Sequence, residues 1–336
     1  MPKLSMAVAV ERVALAAPFR ISGYVFDSAE IVVVTLSDGR LRGRGEAAGV
    51  YYTGDDAAHI EAELERARPL IEAGIDRLTL QAAMPAGGAR NAVDCALWEL
   101  EAGLDGRPAW QLAGIEPPRP LITTFTLGAD APEQVAAGAR RLKGAKAIKL
   151  KLSGEFDLDV ERVRAVRAAR PDVWLGVDAN QGYERAGLEP LVAVLQQERV
   201  LLLEQPLARG READLDGFKS PVPIAADESV LTLADVDGLV GRFDVVNIKL
   251  DKCGGLTEAL AMAARARALG LQVMVGNMIG TSLAMAPAFI LGQLCDYVDL
   301  DGPTFLERDR EPSARYDEGS IWCGEEVWGG AAKTGA

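Results

Sequence analysis

From residue 121 to residue 301 the chain alternates between short apolar runs and longer amphipathic stretches. The runs at 147–151, 173–178, 200–204, 222–227 and 245–249 are rich in Val, Ile and Leu, and each ends in a charged residue. Such runs predict strands buried on both faces of a parallel sheet. Strands are expected near 121–127, 146–151, 173–178, 200–204, 222–227, 244–249, 272–276 and 297–301, with helical stretches between them, for example at 131–143, 157–169 and 256–269. Regularly spaced strands separated by helices predict a (β/α) barrel rather than an open sheet.

The pattern before residue 118 is different. Residues 4–15, 29–37 and 41–47 read as strands, and Asp38-Gly39 marks a hairpin turn. Helices are predicted at about 56–73 and 89–103, the second with Val93, Leu97, Leu100 and Leu104 along one face. This is an α+β unit, and Pro117-Pro118-Arg119-Pro120 separates it from the barrel. The expected domains are 1–117 (α+β), 118–306 (barrel) and a C-terminal segment, 307–336, that returns to the first domain.

Composition narrows the function. At 336 residues, 49% hydrophobic and 25% charged, the chain has the make-up of a soluble globular protein of about two domains. A net charge of −13 argues against nucleic acid and anionic membranes as partners. No apolar run approaches the ~20 residues that span a bilayer. Four scattered cysteines without a Cys-x-x-Cys suit a reduced, cytoplasmic protein. The single histidine, His59, sits at a predicted helix start and reads as a surface residue. Chemistry that needs several histidines is thereby excluded, and acid–base work falls to Lys, Asp, Glu, Tyr or Cys.

In barrels the catalytic groups stand at the C-terminal ends of strands, where this chain carries its charges. Asp178, Glu204 and Asp227 close three successive strands. Three carboxylates so close repel one another unless a cation joins them, and oxygen ligands without His or Cys favour Mg²⁺. Lys149 and Lys151 share one strand face, where two ammonium groups are expected to lower each other's pKa and make a base. Lys249 is expected across the barrel from Lys151, an arrangement suited to proton transfer on both faces of one carbon. Asp299 and Asp301 also share a face, as a negative cradle for a second cation or an organic ammonium.

At these residues the chain resembles the enolase superfamily, in its muconate-lactonizing subgroup. The motifs are Lys149-Leu150-Lys151, Val177-Asp178-Ala179-Asn180, Leu203-Glu204-Gln205-Pro206, Asp227-Glu228-Ser229, and Asn247-Ile248-Lys249-Leu250-Asp251-Lys252-Cys253-Gly254-Gly255. Ala96-Leu97-Trp98-Glu99-Leu100 resembles that family's capping domain. The fold implied is a (β/α)7β TIM-like barrel whose N-terminal α+β capping domain is completed by the C-terminal tail. Asp299-Leu300-Asp301 is similar to the dipeptide epimerases, where the pair holds the α-ammonium of a dipeptide. The resemblance implies Mg²⁺ on Asp178, Glu204 and Asp227, Lys151 and Lys249 as opposed acid and base, and Lys149 against the substrate carboxylate. It also implies substrate contacts at Thr124 and Met278. The activity implied is inversion of the α-carbon of the C-terminal residue through an ene-diolate, a chemistry for which this superfamily is a standing example. The alternative through the same intermediate is a cycloisomerase or syn-elimination dehydratase, like muconate cycloisomerase or o-succinylbenzoate synthase. A third reading is a barrel that binds a ligand without catalysis. Relatives acting on L-Ala-D/L-Glu carry a first-domain arginine for the Glu side chain. Here Arg20 stands in a different register, and Tyr24, Phe26, Tyr51 and Tyr52 suit an apolar or aromatic side chain. A homo-oligomer is compatible with the sequence, which fixes no subunit number.

Overall fold

The computed structural model describes residues 3–21 and 23–330, so Ser22 and positions 331–336 of the predicted tail lie outside the described residues. Strands β1 (Ser5–Ile21), β2 (Tyr24–Ser37) and β3 (Arg42–Ala47) form an antiparallel sheet in that order. The β2–β3 turn is set by Asp38, whose Oδ1 accepts the amides of Arg40 and Leu41, both at 2.8 Å. Helices α1 (Ala57–Glu72), α2 (Arg77–Ala83) and α3 (Gly88–Asp105) cover one face. The alternation of β2 places Val32, Val34 and Leu36 against Ile60, Leu64, Leu97 and Leu100 in one core. Gly43 and Gly45 allow α3 to lie against β3, because a Cβ at either would meet the helix backbone at Ala92, Ala96 or Leu100.

The first two strands run further than their apolar pattern predicts. Beyond a register shift between Ala14 and Phe19, pairing resumes at Phe19↔Phe26 and Ile21↔Tyr24. This two-stranded arm extends beyond β3, which pairs only with Val32–Ser37 of β2, and few of its positions are shielded, so it carries no long alternation.

After α4 (Ala109–Leu112) and β4 (Leu121–Ile122) come the barrel strands. They are β5 (Thr124–Leu127), β6 (Ala147–Lys151), β7 (Trp174–Asp178), β8 (Leu202–Glu204), β9 (Ile224–Ala226), β10 (Val245–Ile248), β11 (Gln272–Val275) and β12 (Tyr297–Val298). They pair in parallel in sequence order, as the regular spacing predicts for a barrel. Helices α5 (Pro132–Arg141), α6 (Phe156–Ala169), α7 (Arg185–Gln197), α8 (Leu250–Cys253), α9 (Leu256–Ala268) and α10 (Ser282–Gly292) form the outer layer. After β8 and β9 only the 3₁₀ segments Glu212–Leu215 and Leu233–Leu239 occupy the helix positions. Inside the barrel, Leu202, Ala225, Val245 and Met274 form an apolar floor, with Trp174 and Tyr297 packed against it.

No ladder joins β12 to β5 among the described residues. Side chains close that seam instead. Thr123 Oγ1 accepts the Leu300 amide at 2.9 Å, Thr124 Oγ1 donates to Asp299, and the Thr126 amide donates to Asp301 Oδ2 at 2.6 Å.

The strands β13 (Arg315–Asp317) and β14 (Ser320–Trp322) pair with each other, and β14 pairs with β4. Further along, Trp328 Nε1 donates to Arg44 O at 2.8 Å, and Arg44 Nη2 donates to Val327 O at 2.9 Å. Helix α3 meets the loops that follow β10. There Arg90 pairs with Glu258 and donates to Cys253 O, and Asp94 accepts the Thr257 amide. No helix among the described residues is long and apolar enough to cross a membrane.

Candidate active site

Parallel register puts the strand-end charges side by side. Lys151 pairs with Asp178 across β6 and β7, and Asp178 with Glu204 across β7 and β8. Asp227 follows β9 directly. One oxygen from each of Asp178, Glu204 and Asp227 falls within 4.8 Å of the others, and all three side chains are buried. The loops here are shaped by left-handed residues, Asn180 (φ 40°), Gln181 (φ 67°) and Gln205 (φ 34°), a strain that clusters at functional sites. Gln205 holds the Asp227 turn by accepting the amides of Asp227 (2.9 Å) and Ser229 (3.1 Å) through Oε1.

Four ammonium groups face this centre. Lys151 Nζ is 2.5 Å from Asp178 Oδ2, and Lys249 Nζ is 2.6 Å from Asp227 Oδ2. Lys252 Nζ takes the other Asp227 oxygen at 2.6 Å and also donates to the carbonyls of Asp227 and Asn247. Lys149 Nζ is 3.4 Å from Glu204 Oε2 and pairs with Asp299. Asn247 Nδ2 donates to Glu204 Oε1 at 2.8 Å.

The centre carries excess negative charge. Lys149, Lys151, Lys249 and Lys252 face Asp178, Glu204, Asp227, Glu228, Asp299 and Asp301, all buried, which leaves two negative charges when all six acids are ionised. Burial, and then Asp178, push Glu204 up to about 7. Burial and the neighbouring Asp227 push Glu228 up to about 8. Burial and Asp299 push Asp301 up to about 6. Asp227 goes the other way, since Lys249 and Lys252 outweigh its burial. Glu228 Oε2 and Asn180 Oδ1 are buried without a hydrogen-bond partner among the described residues. A surplus equal to one divalent cation, an all-oxygen donor set and unpartnered acceptors beside it fit a hard ion such as Mg²⁺.

A cavity of about 250 Å³ opens above this centre. Lys151, Lys249, Asp227 and Met278 line its barrel side, and Phe26 and Tyr51 line the side of the first unit. Thr124 and Lys149 line a different cavity, of about 280 Å³, beside Trp174 and Tyr297. Asp299 is taken up by Lys149 and Thr124, Asp301 accepts the Thr126 amide, and neither lines the upper cavity. The expectation that Lys149 and Lys151 lower each other's pKa fails for Lys149. Burial pulls it down, but Asp299, Glu204 and Asp178 raise it above the usual lysine range. His59 is exposed at the start of α1, with Nδ1 2.9 Å from Asp55. Arg20 is turned to Asp130 at 3.5 Å.

Sequence reasoning assigned no role to Lys252, Asn247, Asn180 or Glu228. For Lys252 a signal existed. It lies three residues after Lys249, one helical turn along, and α8 begins where β10 ends.

Residues 3–114 match the mandelate racemase / muconate lactonizing enzyme N-terminal domain, and residues 133–323 match the enolase C-terminal domain-like family. The chain is 42% identical to the L-Ala-D/L-Glu epimerase of Escherichia coli (strain K12), over 90% of this chain and 95% of that one. Among solved structures it is similar to an enolase family member from Agrobacterium tumefaciens with homology to dipeptide epimerases, crystallised with sodium and L-Ala-L-Glu. The TM-score is 0.93 at 39% identity, over 97% of this chain and 100% of that one. It is also similar to the dipeptide epimerase of Methylococcus capsulatus complexed with Mg and L-Arg-D-Lys, with TM-score 0.91 at 30% identity, over 98% and 99% of the two chains. A polar centre built on three strand-end carboxylates, under a cap that matches the N-terminal model, thus has its counterpart in sequence: the chain belongs to the enolase superfamily, in the mandelate racemase / muconate lactonizing enzyme family and among its dipeptide epimerases.

Proposed function

We propose that this chain inverts the α-carbon of the C-terminal residue of a dipeptide, with Lys151 and Lys249 as the two proton carriers. The observation that carries the reading is that both line one cavity from β6 and β10, on either side of Asp178, Glu204 and Asp227. Asp178, Glu204 and Asp227 would hold Mg²⁺. When bound, the ion supplies fixed positive charge against the substrate carboxylate as the α-carbon loses its proton.

The remaining work falls to the chain. One lysine, as the free amine, takes the α-proton through Nζ. The opposite lysine, as the ammonium, returns a proton to the other face. Asp178 and Asp227 accept hydrogen bonds from these two groups and fix where each points. Strand β2, which carries Phe26, and the segment that carries Tyr51 form the capping side of the cavity, where they would limit the entry of water. Asp299 and Asp301 are the acids for the substrate's α-ammonium in this reading. Asp299 already answers to Lys149 and Thr124, which leaves Asp301 the freer acceptor. The alternative, a cycloisomerase or syn-elimination dehydratase, draws on one observation: neither aspartate lines the cavity.

The test is a dipeptide library incubated with protein and Mg²⁺ in D₂O and read by mass. The expected result is a gain of one mass unit at the C-terminal residue, with epimerisation lost by about 10²-fold or more in Lys151→Ala and in Lys249→Ala. Inversion at the wild-type rate in either variant refutes the two-lysine scheme.

A further inference from the structure

The wall of the cavity that faces the strand ends is aromatic and aliphatic. Phe19, Phe26, Tyr51, Met278 and Ile279 all line it. Its rings fall into two clusters. Tyr51 lies edge-on to Phe26 with centroids 5.4 Å apart and to Tyr52 at 5.1 Å, and Phe19 packs on Phe305 at 4.6 Å. Such a wall offers apolar area and ring edges to a guest.

The charges of the cavity fall into two groups. The cations among the lining residues are Lys151 and Lys249, and each is paired with a carboxylate of the centre. Arg20, on the same arm as Phe19, points at Asp130 instead. The remaining charged lining residues are acids: Glu30, Asp55 and Asp56. A carboxylate side chain in this cavity would be desolvated with no free cation to pair with, and it would face three acids of its own sign. The same acids do not make a good site for a cation. Asp55 already accepts from the Gly88 amide and from His59, and Asp56 caps α1 by accepting the His59 amide. Glu30 is exposed, where attraction is weak and screened.

We propose that the residue epimerised by this chain carries an uncharged apolar or aromatic side chain, held by Phe19, Phe26, Tyr51, Met278 and Ile279. This rests on the dipeptide reading above, and it sets this chain apart from the relative named for L-Ala-D/L-Glu.

The experiment compares L-Ala-L-Phe, L-Ala-L-Leu, L-Ala-L-Glu and L-Ala-L-Lys at equal concentration with wild-type protein and Mg²⁺ in D₂O. Binding of the same four peptides is measured in parallel by calorimetry. The expected kcat/KM for Phe or Leu exceeds that for Glu and for Lys by at least tenfold, with the same order in Kd. The variant Phe26→Arg places a cation in the wall, and it narrows the Phe-to-Glu ratio by at least tenfold. A preference for Glu or Lys by the wild type, in turnover or in binding, overturns this inference and leaves the epimerase reading standing. Apolar peptides that bind best while none of the four exchanges deuterium would support the wall as drawn here and overturn the epimerase reading.

Discussion

Replacing Thr123 by Val tests whether side chains close the barrel. The residue is fully buried, and its Oγ1 accepts the Leu300 amide at 2.9 Å. Valine keeps the shape but offers no acceptor, so the amide of Leu300, itself fully buried, is left without a partner. An orphaned buried amide costs about 1–3 kcal/mol. For 336 residues melting together, the unfolding entropy is about 0.7 kcal/mol per kelvin. The expected drop in Tm is therefore about 1.5–4 °C, read by calorimetry. Amide exchange locates the effect, and protection should fall at Leu300 and Thr126 while β7 and β8 stay protected. In the dipeptide reading proposed above, Asp299 and Asp301 hold the substrate's ammonium and hang from the same seam, so KM should rise with kcat less affected. An unchanged Tm together with unchanged protection at Leu300 would refute the claim that this hydroxyl closes the barrel.

Two further perturbations follow from single sites. In Gly276→Ala the added Cβ would stand 2.7 Å from Asn247 Oδ1 and 3.0 Å from Lys249 Cε, so Asn247 must shift and Lys249 must give by a few tenths of an ångström. The expected loss in kcat is up to about 10²-fold with only a small change in Tm, and steady-state kinetics with a melt in parallel check both. Burial, which outweighs its bonds to Thr257, pushes Asp94 up to about 6. A carboxyl whose folded pKa is raised costs nothing below its unfolded pKa near 4. It then destabilises the fold increasingly as pH rises through about 6, by the order of 3 kcal/mol. Asp94→Asn keeps an acceptor for the Thr257 amide, so the variant should gain on the wild type between pH 5 and pH 8. A Tm difference that does not change with pH would contradict this.

The barrel was legible because its strands are buried on both faces, and burial on both faces writes continuous apolar runs. The carboxylate triad was legible because each acid ends such a run. Two features left no such trace. The arm from Phe19 to Phe26 shields only Phe19, Ile21 and Phe26 among its described residues, too few positions to write a period, and it reverses through the turn at Gly23. The seam joins Thr123 and Thr124 to Val298–Asp301 across about 175 residues, and hydroxyl-to-acid bonds carry no periodicity. Lys149 shows where a face rule stops. Two positions along a strand preserve the face but move a side chain about 6.6 Å along the strand. That step takes Lys149 out of the cavity of Lys151 and into the layer of Thr124 and Asp299.

The displaced lysine has a use that the strand-end pattern could not suggest. Each carboxylate of the centre has a partner outside the proposed proton transfer. Asp178 accepts the Asn180 amide at 2.9 Å, besides Lys151. Asp227 accepts from Lys252 at 2.6 Å, besides Lys249. Glu204 is held by Asn247 and Lys149 and touches neither Lys151 nor Lys249. Either transferring lysine must leave its carboxylate to reach an α-carbon. In that scheme the carboxylate would keep its other partner, as ligands held by outer partners do in metal sites. Under the proposed transfer, holding and moving would then fall to different lysines: Lys149 and Lys252 keep the carboxylates in place, and Lys151 and Lys249 carry the proton.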